Sequence, residues 1–114
     1  MKLKHEQIQY TEFLSNNFER IKDFYTKSFG WEFTDYGSEY TAFSGDYVDG
    51  GFAVGEPVKG SVLVILYSEA LEDTKEKVEE AGGEIIKDIF SFPGGRRLHF
   101  TDPDGNELAV WSDK

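Results

Sequence analysis

The spacing of apolar and polar positions divides this chain into two similar halves. In the first, residues 6–14 alternate enough to form a strand. Asn16-Asn17-Phe18-Glu19 then reads as a helix start, with Asn16 placed to cap and Glu19 three residues on. Phe18, Ile21, Tyr25 and Ser28 recur at helical spacing, Phe24 and Phe29 widen that stripe, and Gly30 ends it. Three short β-rich runs follow at Trp31–Thr34, Tyr40–Phe43 and Gly51–Val54, the last behind an Asp49-Gly50 turn signal. The order is β-α-β-β-β.

The second half repeats it. Residues 61–67 form a continuous apolar run of strand length, and Ser68 is placed to cap a helix. Leu71, Thr74, Val78 and Ala81 carry the stripe of that helix, and Gly82-Gly83 ends it. Strands are expected at about 84–90, 96–101 and 106–112. Phe29-Gly30-Trp31-Glu32-Phe33 aligns with Ala81-Gly82-Gly83-Glu84-Ile85, Asp49-Gly50 with Asp104-Gly105, and Ala53-Val54 with Ala109-Val110. Four landmarks in the same order indicate a duplicated unit. No Pro- or Ser-rich linker separates the halves, so residues 1–114 are read as a single domain, with module one at about 5–56 and module two at about 60–114.

Composition narrows the chemistry. The chain has 22 acidic and 12 basic residues, a formal charge of -10. That balance repels nucleic-acid phosphates and anionic membrane surfaces and favours neutral or cationic partners. Aromatic residues make up 16%, enough to line a cavity as well as fill a core. Cysteine is absent, which removes disulfides, thiolate metal sites and a thiol nucleophile. The polar start Met1-Lys2-Leu3-Lys4-His5 leads into no apolar run, so a cytoplasmic protein is expected.

Two motifs carry a family resemblance. Phe24-Tyr25-Thr26-Lys27-Ser28-Phe29-Gly30-Trp31 resembles the helix-end motif of glyoxalase I relatives, and Thr101-Asp102-Pro103-Asp104-Gly105-Asn106 resembles the turn before their last strand. With Ala81-Gly82-Gly83-Glu84 these landmarks span nearly the whole chain. The sequence is therefore similar to the glyoxalase/bleomycin-resistance/extradiol-dioxygenase (vicinal oxygen chelate) superfamily. The resemblance implies an α+β fold. Two βαβββ modules would form a curved eight-stranded mixed sheet around a cup, with the helices on its outer face. It also implies that metal-dependent members take one ligand from the first and one from the last strand of each unit. Tyr10, Ala53, Leu63 and Ala109 stand at those positions here, and three of the four have no donor atom. A slip of two residues would bring in Glu12 and Glu107 but no histidine pair, so no metal or other cofactor is expected.

Strand parity sorts the remaining candidates. Leu98, Phe100, Leu108 and Val110 should pack under a helix, leaving Arg97, His99, Thr101, Glu107, Ala109 and Trp111 on the cup face. His99 and Glu12 are candidate acid–base groups, because imidazole as a residue type titrates near neutral pH and a carboxylate can take a proton or anchor a cation. Tyr10, Trp31, Phe33, Tyr40, Phe52, Arg97, Glu107 and Trp111 are candidate ligand contacts. Arg96 and Arg97 are equally suited to pairing with surface acids. Helix two should be a solvated acidic face with an Asp73–Lys77 pair. The favoured reading is a metal-free protein, expected as a homodimer, that holds a small aromatic or cationic molecule. A metal-dependent glyoxalase-like lyase, isomerase or dioxygenase is the alternative.

Overall fold

The computed structural model describes residues 3–58 and 60–114; Met1 and Lys2, where the polar start begins, and Lys59 lie outside the described residues. The elements run β1 (Gln7–Ser15), α1 (Phe18–Phe29), β2 (Phe33–Asp35), β3 (Tyr40–Phe43), β4 (Asp49–Val54), β5 (Leu63–Tyr67), α2 (Leu71–Glu80), β6 (Glu84–Phe92), β7 (Gly95–Thr101) and β8 (Glu107–Ser112). This is the expected β-α-β-β-β order, twice. Eight strands in a mixed, open arrangement and two helices make the fold α+β. No helix among the described residues is long and apolar enough to cross a membrane.

The chain forms two compact units, Tyr10–Val62 and residues 3–9 with Leu63–Lys114. In the first the strand order is β2-β3-β4-β1, with β1 parallel to β4 and the other pairs antiparallel. The second has the matching order β6-β7-β8-β5, with β5 parallel to β8.

Alternation fixes which face each strand buries. In the first unit Phe13 stacks on Phe52 at 5.1 Å, and Phe52 meets Tyr25 of α1 at 5.6 Å. Tyr25 in turn stacks on Trp31 at 4.5 Å, and Trp31 meets Phe43 at 4.4 Å. This helix-side core is made almost entirely of rings, and each well-oriented pair adds about 0.5–1.5 kcal/mol beyond its burial. The second unit uses aliphatic packing instead. Leu71 of α2, Leu98 and Val110 are fully buried, flanked by Leu66, Ile85, Ile89 and Phe100.

Helix ends depart slightly from the sequence reading. Asn17, not Asn16, caps α1, its side chain accepting from the Arg20 amide at 3.0 Å; Asn16 Oδ1 instead accepts from the Arg20 guanidinium. Gly30 closes the helix at φ 76°, a left-handed conformation that suits glycine. Ala70, not Ser68, is the N-cap of α2, with no side-chain cap bond. Ser68 lies two residues before it, accepting from the Ala70 amide and hydrogen-bonding Thr74 Oγ1. Lys77 pairs with Glu6 at 2.9 Å rather than with Asp73, because the chain entering β1 brings a second carboxylate over the helix. Asp49-Gly50 is strand, not turn: it pairs in register with Tyr10 and Thr11 of β1.

Candidate functional site

The strand face of the first unit turned away from α1 carries a polar chain. Tyr10 and Glu12 alternate with the helix-side Thr11 and Phe13, and Tyr40 of β3 stands opposite Ala53 of β4. Tyr10 and Tyr40 hydroxyls are 2.7 Å apart, and Tyr40 donates to Glu12 Oε1 at 3.0 Å. The gap they occupy is opened by Gly51. A Cβ there would lie 2.5 Å from the Tyr40 hydroxyl and 2.7 Å from that of Tyr10. Burial, reinforced at Tyr40 by the Glu12 charge, pushes both phenols above their ordinary range, so both stay protonated donors at neutral pH. The chain of donors ends on a carboxylate, which accepts only.

The corresponding face of the second unit is organised by strand register. Phe90, Arg97, Trp111 and Tyr67 form one row across β6, β7, β8 and β5, and Lys87, His99, Ala109 and Ile65 form the next. His99 is 8% exposed, and its Nδ1 lies 2.9 Å from Glu107 Oε2. The imidazole lies 6.1 Å from the Phe90 ring, tilted by 28°. Lys87 Nζ sits over the same ring at 4.6 Å and the Arg97 guanidinium at 5.6 Å. The Trp111 indole N–H donates to Gln9 Oε1 at 2.8 Å, and the ring packs edge-on against Tyr67 at 5.3 Å. The Tyr67 hydroxyl donates to Asp113.

The predicted site residues therefore fall into three groups. Tyr10, Glu12 and Tyr40 are brought together in the first unit. His99, Glu107, Arg97 and Trp111 share one face of the second. Trp31, Phe33 and Phe52 lie instead in the ring cluster on the α1 side of the sheet, with Phe52 only 2% exposed. Parity alone could not sort these three, because the strands around them start and stop within a few residues. Trp31 also borders a shallow apolar hollow of about 330 Å³ with Phe13, Phe43 and Tyr47 on that side. The hollow holds none of the acid–base candidates. Arg96 pairs with Glu72 of α2. Gly51 went unread in the sequence, although a glycine inside a strand signals close approach of another group.

The positions implied for a divalent ion do not fit one. Ala53 and Ala109 end in methyl groups, and Ala109 is fully buried between His99 and Ile65 in the register. Among the described residues, no three His, Asp or Glu side chains gather as such an ion requires.

Two βαβββ units with an aliphatic or aromatic core on the helix side, and polar groups on the opposite strand face, define a protein built from a repeated βαβββ unit. The chain belongs to the Glyoxalase/Bleomycin resistance protein/Dioxygenase superfamily, whose sequence profile matches residues 7–110. It is 31% identical over 96 residues to an uncharacterized protein of Mycolicibacterium smegmatis, covering 82% of each chain. Among solved structures it is similar to methylmalonyl-CoA epimerase from Mycobacterium tuberculosis (TM-score 0.72, 8% identity, 98% of this chain and 92% of that one). It is also similar to the Mn(II)-bound glyoxalase from Novosphingobium aromaticivorans (TM-score 0.69, 20% identity), covering 96% of this chain but 40% of that one. At these identities the structural likenesses speak for the fold.

Proposed function

We propose that this chain is a metal-free, small-molecule-binding member of the superfamily, and that it holds a cationic, preferably aromatic, ligand at Tyr10, Tyr40 and Glu12. One observation carries the reading: the Tyr10–Tyr40–Glu12 hydrogen-bond chain set over the bare backbone of Gly51. Glu12 contributes negative charge, the phenol rings supply π-faces, and Gly51 leaves the room that the two hydroxyls fill. The charge of -10 favours the same sign of ligand at longer range. Alanine at two of the positions where metal-dependent members place ligands supports binding without a metal.

Calorimetric titration with benzyltrimethylammonium tests this. Wild-type protein should bind it, Glu12→Gln should weaken binding by about tenfold, or roughly 1.4 kcal/mol, and Tyr40→Phe should weaken it less. Binding indifferent to Glu12 would defeat the proposal. So would stoichiometric manganese retained by the purified protein together with lyase or isomerase activity, which would restore the enzymatic alternative.

A further inference from the structure

The helix side of the first unit leaves aromatic surface uncovered that the chemistry above does not use. α1 buries none of its twelve residues, whereas α2 buries Leu71 and Thr74. Phe24 is 54% exposed and Phe29 65% exposed. Phe24 meets Phe29 edge-on at 6.4 Å, and Phe29 meets Trp31 at 6.1 Å. Trp31 leads in turn into the apolar hollow that Phe13 and Phe43 also line. Tyr47, 90% exposed, borders that hollow from the loop between β3 and β4. The loop is tightly folded: the Gly45 amide donates to Asp49 Oδ1 at 3.3 Å, and a Cβ at Gly45 would lie 2.5 Å from the Val48 carbonyl oxygen. Exposed rings in a continuous run mark a docking face, and a loop already ordered lowers the cost of binding to it.

The charge around these rings is acidic. Asp46 lines the hollow and Glu32 follows Trp31; both are exposed, and neither makes an ion pair among the described residues. The lysines of α1 are already matched, Lys22 with Glu19 and Asp35, and Lys27 with Asp23. A second copy of this chain would bring the same charge of -10 to the contact and be repelled. A free small molecule in so shallow a hollow would leave much of its surface in water. We propose that this face docks a basic segment of a partner protein. An aromatic side chain of the segment would fill the hollow, its flanking lysines or arginines would meet Asp46 and Glu32, and its chain would continue over Phe29 and Phe24. An aromatic anchor in a ring-lined pocket with complementary charge at the rim is how protein interfaces gain affinity and specificity. The face uses none of Tyr10, Tyr40 or Glu12 and stands or falls apart from the cation reading.

Amide NMR titration of the full chain with end-blocked Lys-Trp-Lys and Glu-Trp-Glu peptides tests this. Lys-Trp-Lys should shift the resonances of Gly45–Val48 and bind about tenfold more tightly than Glu-Trp-Glu. Asp46→Lys should remove that preference, Tyr47→Ser should weaken Lys-Trp-Lys several-fold, and Glu12→Gln should leave the Gly45–Val48 shifts unchanged. Asp46 and Tyr47 are exposed, so both variants keep the fold. No shift at Gly45–Val48, equal binding of the two peptides, or shifts confined to Tyr10 and Tyr40 would each overturn the proposal. So would tryptamine binding the hollow as tightly as Lys-Trp-Lys, or a dimer in sedimentation that Tyr47→Ser abolishes.

Discussion

At single residues, the decisive positions are small. Gly51 matters for what it lacks. Gly51→Ala drives a methyl against the Tyr10 and Tyr40 hydroxyls, so it should part them and lower stability by about 1–3 kcal/mol, measurable as a fall in denaturation midpoint together with lost ligand binding. The phenols themselves give a pH signature. Tyr10 and Tyr40 are raised by burial, and Tyr67 chiefly by its bond to Asp113. With the folded-state values above the unfolded ones, the native protein holds protons there that the unfolded chain releases. The associated stability is complete below about pH 10 and declines as pH rises beyond it. Spectroscopic titration should accordingly show a shortfall from the full six tyrosinates until the fold gives way. Release of all six in the native state would refute the buried assignment.

Among the elements, the two helices differ in how they are anchored. α1 starts on a side-chain cap at Asn17 and ends on Gly30, whereas α2 starts at Ala70 with no cap bond of its own. Asn17→Ala should cost about 0.5–2 kcal/mol, and Ala70→Asp should gain up to about 1 kcal/mol, both read as shifts in denaturant midpoint. The helices, their glycine stops and most strands were legible because period and punctuation agree there. Residue-level detail was lost where tertiary contacts chose between equal options. Either asparagine could cap α1, and Lys77 had two carboxylates within reach. The Asp49-Gly50 pair has good turn chemistry, yet the parallel register with β1 holds it extended. On the site, parity correctly grouped Leu98 and Val110 under α2, and His99 and Glu107 on one face. Trp31 heads the expected Trp31–Thr34 run, but β2 starts only at Phe33, so no strand alternation governs Trp31 and it joins Tyr25 and Phe43.

For the molecule as a whole, charge is the dominant variable. With 22 acids against 12 bases, the folded chain repels itself, and ion pairs such as Lys22–Asp35 and Lys75–Asp88 are solvent-facing and worth little each. Moderate salt should therefore raise the melting temperature by a few degrees while weakening the binding of a cationic ligand. A melting temperature that falls with salt would mean the pairs outweigh the repulsion.

The compact units are not consecutive in the chain. Residues 3–9 pack with the second one, where Glu6, in the left-handed region at φ 57°, bonds Lys77 and Thr74, and Gln9 receives the Trp111 indole N–H. No single scission can free either half intact. A gene fragment opening at Leu63 would leave the Trp111 indole stranded. Swapping modules between homologues would demand two crossover points, one inside β1 and one ahead of β5.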